Sequence, residues 1–174
     1  RLITNLYWKQ QAVVKTAEGL SNFVQIQQGV RQGCILSPIL FNLYSEWMTK
    51  EIEENTEGIK INGDIIRDCR YADDAAMLAD TTEKLQQSVD ILESVCTDYS
   101  MKINTKKTKV MAISKNGRVE CKIRIGRDIV EQVSQFKYLG SLLTEDGKCI
   151  REVKARISMA KSAFMKYKDL MKRR

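Results

Sequence analysis

Residues 68–80 read DCRYADDAAMLAD, in which two adjacent acids, Asp73 and Asp74, interrupt a run that is otherwise suited to a buried strand. Successive side chains on a strand point to opposite faces, so two carboxylates converge on one spot only where the backbone turns or bulges. The stretch therefore predicts a reversal at Ala72-Asp73-Asp74 with a strand on either side. Like charges this close raise each other's proton affinity, and the usual offset is a cation, for which hard oxygen ligands suit Mg²⁺ or Mn²⁺. Two metals about 3.5–4 Å apart serve phosphoryl transfer, one at the attacking oxygen and one at the leaving oxygen. An Asp-Asp pair is also ordinary turn chemistry, which is the reading the dipeptide alone favours, so the surrounding residues have to decide.

Outward from this stretch the pattern alternates helix and strand. Asn62-Gly63 is a two-residue hairpin signal between Ile59/Ile61 and Ile65. In GVRQGCILSPILFNLYSEWMTKEI (29–52), Ser37 reads as an N-cap and Pro38 as the first helical position. The pairs Ile39/Leu40, Leu43/Tyr44 and Trp47/Met48 then recur every four residues, predicting a buried helix. Leu85, Val89, Leu92, Cys96 and Tyr99 predict a helix over 82–99, capped by Thr81 or Thr82 and packed on the sheet. MKINTKKTKVMAI (101–113) reads as strand, basic turn, strand. Asn116-Gly117 then leads into RVECKIRI, where Val119, Cys121, Ile123 and Ile125 alternate with mainly charged residues. FKYLGSLL (136–143) reads as a short strand. Nearer the start, residues 2–14 have helical spacing (Leu2, Leu6, Val13) and VQIQQ (24–28) alternates like a strand. From Ile150 onward apolar or small residues at 150, 153, 157, 160, 164, 167 and 171 predict one long amphipathic helix with basic flanks.

Composition narrows the chemistry. The 174 residues are 43% hydrophobic, enough for one substantial core, and one proline and nine glycines favour an ordered α+β body over a linker-rich array. Five widely spaced cysteines form no C-x-x-C pair, which argues against zinc and a disulfide scaffold and for reduced thiols. The absence of histidine excludes Ser-His and Cys-His nucleophile systems and His-based zinc hydrolases, leaving carboxylates, lysines, hydroxyls or bound metal. No apolar run is long enough to span a bilayer and the first residues have no signal-peptide pattern, so an intracellular protein with no membrane partner is expected. From Arg151 to the end there are nine Lys/Arg against two acids, while residues 1–150 hold twenty of each sign. The whole excess of +7 lies in the tail, which suits a polyanion such as nucleic acid or a solvated helix face.

Tyr71-Ala72-Asp73-Asp74 resembles the Tyr-x-Asp-Asp box of reverse transcriptases, and the order of the surrounding motifs strengthens the likeness. GVRQGCILSPILFNLY (29–44) is similar to the motif preceding that box in reverse transcriptases of non-LTR retrotransposons. MKINTKKTKVM (101–111), with Asn104, Lys107 and Thr108, resembles the motif that follows it, and FKYLGSLLTEDG (136–147) resembles the Tyr-Leu-Gly primer grip. The resemblance implies a polymerase palm-type antiparallel sheet with packed helices over residues 1–147 and the start of a helical thumb over 148–174. It implies Asp73 and Asp74 as catalytic, metal-binding residues and Lys107 as a catalytic cation. Arg31, Gln32, Gly33 and Tyr71 would contact nucleotide or template, and Tyr138, Leu139 and Gly140 the primer. Implied cofactors are Mg²⁺ or Mn²⁺; implied partners are an RNA template, a DNA primer, deoxynucleoside triphosphates and the rest of a retrotransposon polyprotein.

The resemblance also implies a third metal-binding aspartate on an earlier strand. Before Gly29 the only acid is Glu18, in an unlike context, so the chain is expected to start downstream of that strand and to be inactive alone. A folded but non-catalytic nucleic-acid-binding remnant shares every motif, and an intron-type maturase or an RNA-dependent RNA polymerase is the alternative within the enzyme class. Strand edges left bare in a partial palm are expected to promote self-association.

Overall fold

Asn62 (φ 52°) and Gly63 (φ 100°) both take the left-handed backbone that a tight two-residue reversal demands, and they close a hairpin where the Asn-Gly pair predicts one. This geometry comes from a computed structural model describing residues 1–115, 117 and 119–172. The chain forms two compact units, residues 1–49 and 50–174. Helices and small sheets are mixed throughout, an α+β architecture. Among the described residues the strands form seven two-stranded ladders, six antiparallel and one parallel. No described helix is long and apolar enough to cross a membrane.

The first unit holds α1 (Leu2–Tyr7), β1 (Gln11–Ala12), β2 (Lys15–Thr16), β3 (Gly19–Leu20), β4 (Val24–Gln25) and the first turns of α2 (Ser37–Asn55). β1 pairs with β4 and β2 with β3. The helix expected over 2–14 stops at Tyr7, because Trp8 is already extended and Lys9 takes φ 54°. The β-branched Val13, Val14 and Thr16 beyond it favour extended backbone, and the Gln10 side chain donates to the Leu6 carbonyl (3.2 Å) at the helix end.

α2 begins differently from the expectation. The Leu36 carbonyl accepts the first helical bond, from Leu40 (3.0 Å), so Leu36 holds the N-cap position. Ser37 and Pro38 lie in the first turn, where the missing proline N–H costs nothing. The Ser37 hydroxyl turns back to the Arg31 carbonyl instead of capping. The helix is also less buried than its periodicity suggests: Ile39, Leu43, Tyr44 and Trp47 are exposed, whereas Met48 and Ile52 (0% exposed) are enclosed. Periodicity marks an apolar face; it does not say how much of that face the chain itself covers.

The second unit contains β5 (Ile59–Ile61) and β6 (Asp64–Ile66), β7 (Asp68–Tyr71) and β8 (Asp74–Met77), then α3 (Thr82–Asp98). The Thr81 side chain caps α3 by accepting from the Lys84 backbone N–H. After it come β9 (Lys109–Val110), β10 (Arg124–Ile125), β11 (Asp128–Ile129), β12 (Glu131–Gln132), β13 (Gln135–Tyr138), β14 (Ser141–Thr144) and α4 (Ile150–Lys172). The core gathers Val89 of α3 with Val110, Cys121, Ile123, Ile125 and Val130. The alternation read from residues 119–125 thus survives as burial at Cys121, Ile123 and Ile125, while Val119 is exposed and only Arg124–Ile125 enter a ladder. Asn116, half of the expected turn before it, lies outside the described residues.

Side chains of α3 clamp the β10–β11 hairpin. Gln86 donates to the Arg124 carbonyl (3.0 Å) and accepts from its N–H (2.8 Å), and Glu93 accepts from Gly126 N–H (2.9 Å). The expected strand at 101–103 is absent; Met101 N–H instead bonds back to the Cys96 carbonyl (2.7 Å) at the end of α3. The single strand expected at 136–143 is a hairpin, β13–β14, with Leu139 (φ 47°) and Gly140 (φ 84°) at its tip. α4 starts at Ile150 as its spacing predicts, and its apolar seam is exposed at Ile150, Val153, Ile157, Phe164 and Tyr167, while the Met171 side chain of the expected seam lies outside the described residues. Glu152 in its first turn accepts the Leu142 N–H (2.8 Å) and pairs with Arg156, and these contacts hold its carboxyl below the ordinary 4.5.

Ile123→Ala should cost about 2–5 kcal/mol in urea unfolding, because Ile123 is 2% exposed in the core, whereas Ile129→Ala, at an exposed site, should stay within about 0.5 kcal/mol. Equal effects would contradict this core. Because folding lowers the Glu152 pKa, its contribution is complete above the ordinary value and disappears as pH falls through the folded value. Unfolding midpoints measured from pH 7 to pH 3 should therefore show a shallower acid-side decline in Glu152→Gln than in the parent chain.

Candidate active site

The β7–β8 hairpin pairs Asp68 with Met77, Cys69 with Ala76, Arg70 with Ala75 and Tyr71 with Asp74, leaving Ala72-Asp73 as a two-residue turn. Ala72 takes φ 53°, a left-handed conformation that a side chain resists, and alanine presents the smallest side chain that can occupy it. Asp73 sits in the turn and Asp74 begins β8; both are exposed. The reversal expected here is therefore present, and the two acids do not lie buried on opposite faces of one continuous strand. Asp68 is engaged elsewhere, in a 2.6 Å ion pair with Arg70 along β7.

Two adjacent carboxylates are the hard oxygen donors that Mg²⁺ or Mn²⁺ prefers. In donor type the pair fits such an ion; in number it is partial, since no group of three or more metal-ligating side chains gathers among the described residues.

A hydrogen bond links the β13–β14 hairpin to this one. Tyr138, last residue of β13, donates its hydroxyl to the Cys69 carbonyl of β7 (2.7 Å). Partial burial, followed by the nearby Cys69, Asp74 and Asp68, pushes the Tyr138 phenol above its ordinary value, so it remains a donor at neutral pH. Leu139 and Gly140 are exposed at the hairpin tip.

Lys107 lies on a separate turn whose shape is set by Asn104. The Lys107 N–H donates to the Asn104 carbonyl (3.0 Å) and lies near its side-chain oxygen (3.2 Å), and Thr108 donates to the same carbonyl through both its N–H and its hydroxyl (2.9 Å each). Asn104 and Thr108 thus build the turn, and the Lys107 side chain is exposed. The neighbouring Lys109 is paired with Glu131 (2.7 Å).

Arg31, Gln32 and Gly33 belong to the first unit, in the turn before α2. Gly33 has φ 81° with open space where a Cβ would sit, so backbone conformation accounts for the glycine. The Arg31 guanidinium donates to the Gln10 side chain (3.0 Å), and Gln32 is exposed. Beside them the Leu36 backbone N–H and the Tyr7 hydroxyl hold the Cys34 thiol below its ordinary 9.0. The contributions of Gln10 and of the Tyr138–Cys69 bond have no local sequence signal and were not anticipated.

A family model described as reverse transcriptase (RNA-dependent DNA polymerase) matches residues 2–143. The chain belongs to the reverse transcriptase family, and its relatives agree with the non-LTR retrotransposon branch read from its motifs. It is 31% identical over 146 residues to the Retrovirus-related Pol polyprotein from type-1 retrotransposable element R2 of Nasonia vitripennis, covering 78% of this chain and 14% of that protein. It is 26% identical over 145 residues to the RNA-directed DNA polymerase from mobile element jockey of Drosophila funebris, covering 79% of this chain and 15% of that protein. A third relative, the Retrovirus-related Pol polyprotein from type-2 retrotransposable element R2DM of Drosophila melanogaster, is 26% identical over 130 residues, 70% of this chain and 12% of that protein. The chain thus spans about a seventh of the length of these relatives.

The turn conformation gives a direct test. Ala72→Gly removes the left-handed strain and should raise stability by up to about 1 kcal/mol, whereas Ala72→Val should lower it by about 1–2 kcal/mol. Urea midpoints of the two variants falling in the reverse order would refute a positive φ at residue 72.

Proposed function

We propose that this chain is part of the palm, with the start of the thumb from residue 148, of an RNA-directed DNA polymerase that extends a DNA primer while copying RNA and releases pyrophosphate. The observation that carries the reading is the pair of adjacent, exposed carboxylates at the tip of a two-stranded hairpin. Asp73 and Asp74 would hold the divalent metal, together with a third carboxylate from outside residues 1–174. When bound, the metal supplies charge neutralisation to the phosphoryl group being transferred.

The remaining residues orient substrates and balance charge. Lys107 offers a cation to the phosphates, or a proton to the departing pyrophosphate; either assists phosphoryl transfer electrostatically. Arg31, Gln32 and Gly33, on the turn before a helix N-terminus, contact the incoming nucleotide and templating base in a setting that favours anions. In the second unit, Tyr71 beside the aspartate turn is a nucleotide or template contact. Leu139 and Gly140, with Tyr138 behind them, hold the primer backbone. The exposed lysines of α4, among them Lys154 and Lys161, face the duplex backbone. The chain works inside the cell with the rest of a retrotransposon polyprotein, without a membrane.

Primer extension on an RNA template with Mg²⁺ or Mn²⁺ tests this reading, using the chain alone and the chain joined to an upstream reverse transcriptase palm segment that carries a further catalytic aspartate. Activity is expected only in the joined protein and should be abolished by Asp73→Asn. A folded joined protein that stays silent would instead favour a non-catalytic nucleic-acid-binding remnant. Binding of a primer–template duplex, followed by fluorescence anisotropy across salt concentrations, should weaken with salt, and Lys154→Gln or Lys161→Gln should each flatten the log–log slope by about one. An unchanged slope in both variants would remove α4 from the interface.

A further inference from the structure

The hydrogen bond between Tyr138 and the Cys69 carbonyl spans 69 positions of sequence and joins two hairpins that share no ladder. We propose that Tyr138 is a positioning residue for the aspartate pair: its hydroxyl, held by the strand that leads into the Ala72-Asp73 turn, fixes where that turn stands. The proposal rests on the polymerase reading only for what the aspartates do, since the bond itself is independent of it.

Three features make the bond more than incidental. The aspartate hairpin is a two-stranded ladder of four residue pairs with a strained left-handed residue at its tip, and isolated two-stranded hairpins are marginally stable. Contacts from outside the ladder, this bond and the packing of β8 on α3 among them, therefore decide how firmly its tip is placed. The phenol comes from a secured base, because Tyr138 pairs with Ser141 to close its own hairpin, and the next residue, Leu142, donates its N–H to Glu152 of α4 (2.8 Å). Glu152 is itself paired with Arg156. The acceptor is also well placed, since Cys69 lies two residues before Tyr71, the partner of Asp74. On β7, whose only ladder neighbour among the described residues is β8, the Tyr138 hydroxyl does at one carbonyl what a neighbouring strand would do. The Tyr138 hydroxyl is thereby committed to the protein, and primer contact falls to Leu139 and Gly140.

The test compares the 174-residue chain with Tyr138→Phe, which keeps the ring, and with Tyr167→Phe, which removes a hydroxyl from α4 as a control. Amide exchange of residues 68–77 should be about fivefold faster in Tyr138→Phe, with α3 amides unchanged and the control like the parent. The Cys69 carbonyl carbon resonance should move in Tyr138→Phe alone. Titration with Mn²⁺, read as paramagnetic broadening of the Asp73 and Asp74 signals, should show severalfold weaker binding in Tyr138→Phe. Unchanged exchange in residues 68–77, or exchange accelerated equally in α3, would overturn the positioning role. Mn²⁺ that broadens neither aspartate in any of the three proteins would show that the pair does not hold the ion without its third carboxylate, and the exchange result would then decide on Tyr138 by itself.

Discussion

Two consecutive ionised carboxylates cannot be taken out of water without a cation to accompany them, and this cost shapes the second unit. Asp73 and Asp74 stay in solvent because the chain reverses under them, and the reversal requires Ala72 in a left-handed conformation. A turn so short brings Tyr71 opposite Asp74 and sets the register of the whole β7–β8 ladder. That ladder then fixes where Cys69 offers its carbonyl to Tyr138, and so where the second hairpin docks. The packed core lies elsewhere, under α3, around Val89, Val110 and Ile123.

Much of the local structure was legible because its cause is local. Asn-Gly at 62–63 and the Thr81 cap act within two to four residues, and each stands where the sequence places it. The misreadings have a different origin. Ser37 looked like an N-cap, but its hydroxyl was drawn to a carbonyl six residues upstream. Leu139-Gly140 was not read as a turn because leucine rarely takes positive φ. The periodicity of α2 was real, but periodicity records which face is apolar and is blind to what covers it, so the exposure of Leu43 and Trp47 could not be foreseen. Residues 101–103 have strand-like composition, yet a bond to the end of α3 claims Met101.

For the candidate site, the residues themselves were readable and their supports were not. The aspartate turn follows from the period-two geometry of strands, and the Asn-x-x-Lys-Thr run gains a physical meaning, since Asn104 and Thr108 shape the turn that exposes Lys107. By contrast, the partner of Tyr138 is 69 residues away, and the Gln86 clamp on Arg124 reaches across 38. Contacts of that range are set by topology, which no short window of sequence encodes.

The parallel pairing of β9 with β12 bears on the order in which the unit assembles. Lys109 and Glu131 are 22 positions apart, and the β10–β11 hairpin lies between them. Closing an unstructured loop of that length exacts chain entropy before any contact returns it. A hairpin that forms first, turning at Gly126 and seated against α3 by Glu93, takes residues 124–129 out of that loop and leaves residues 111–123 and Val130 to be closed. Loop-closure entropy thus favours the local turn at Gly126 forming before the ladder that adds Val110 to the core.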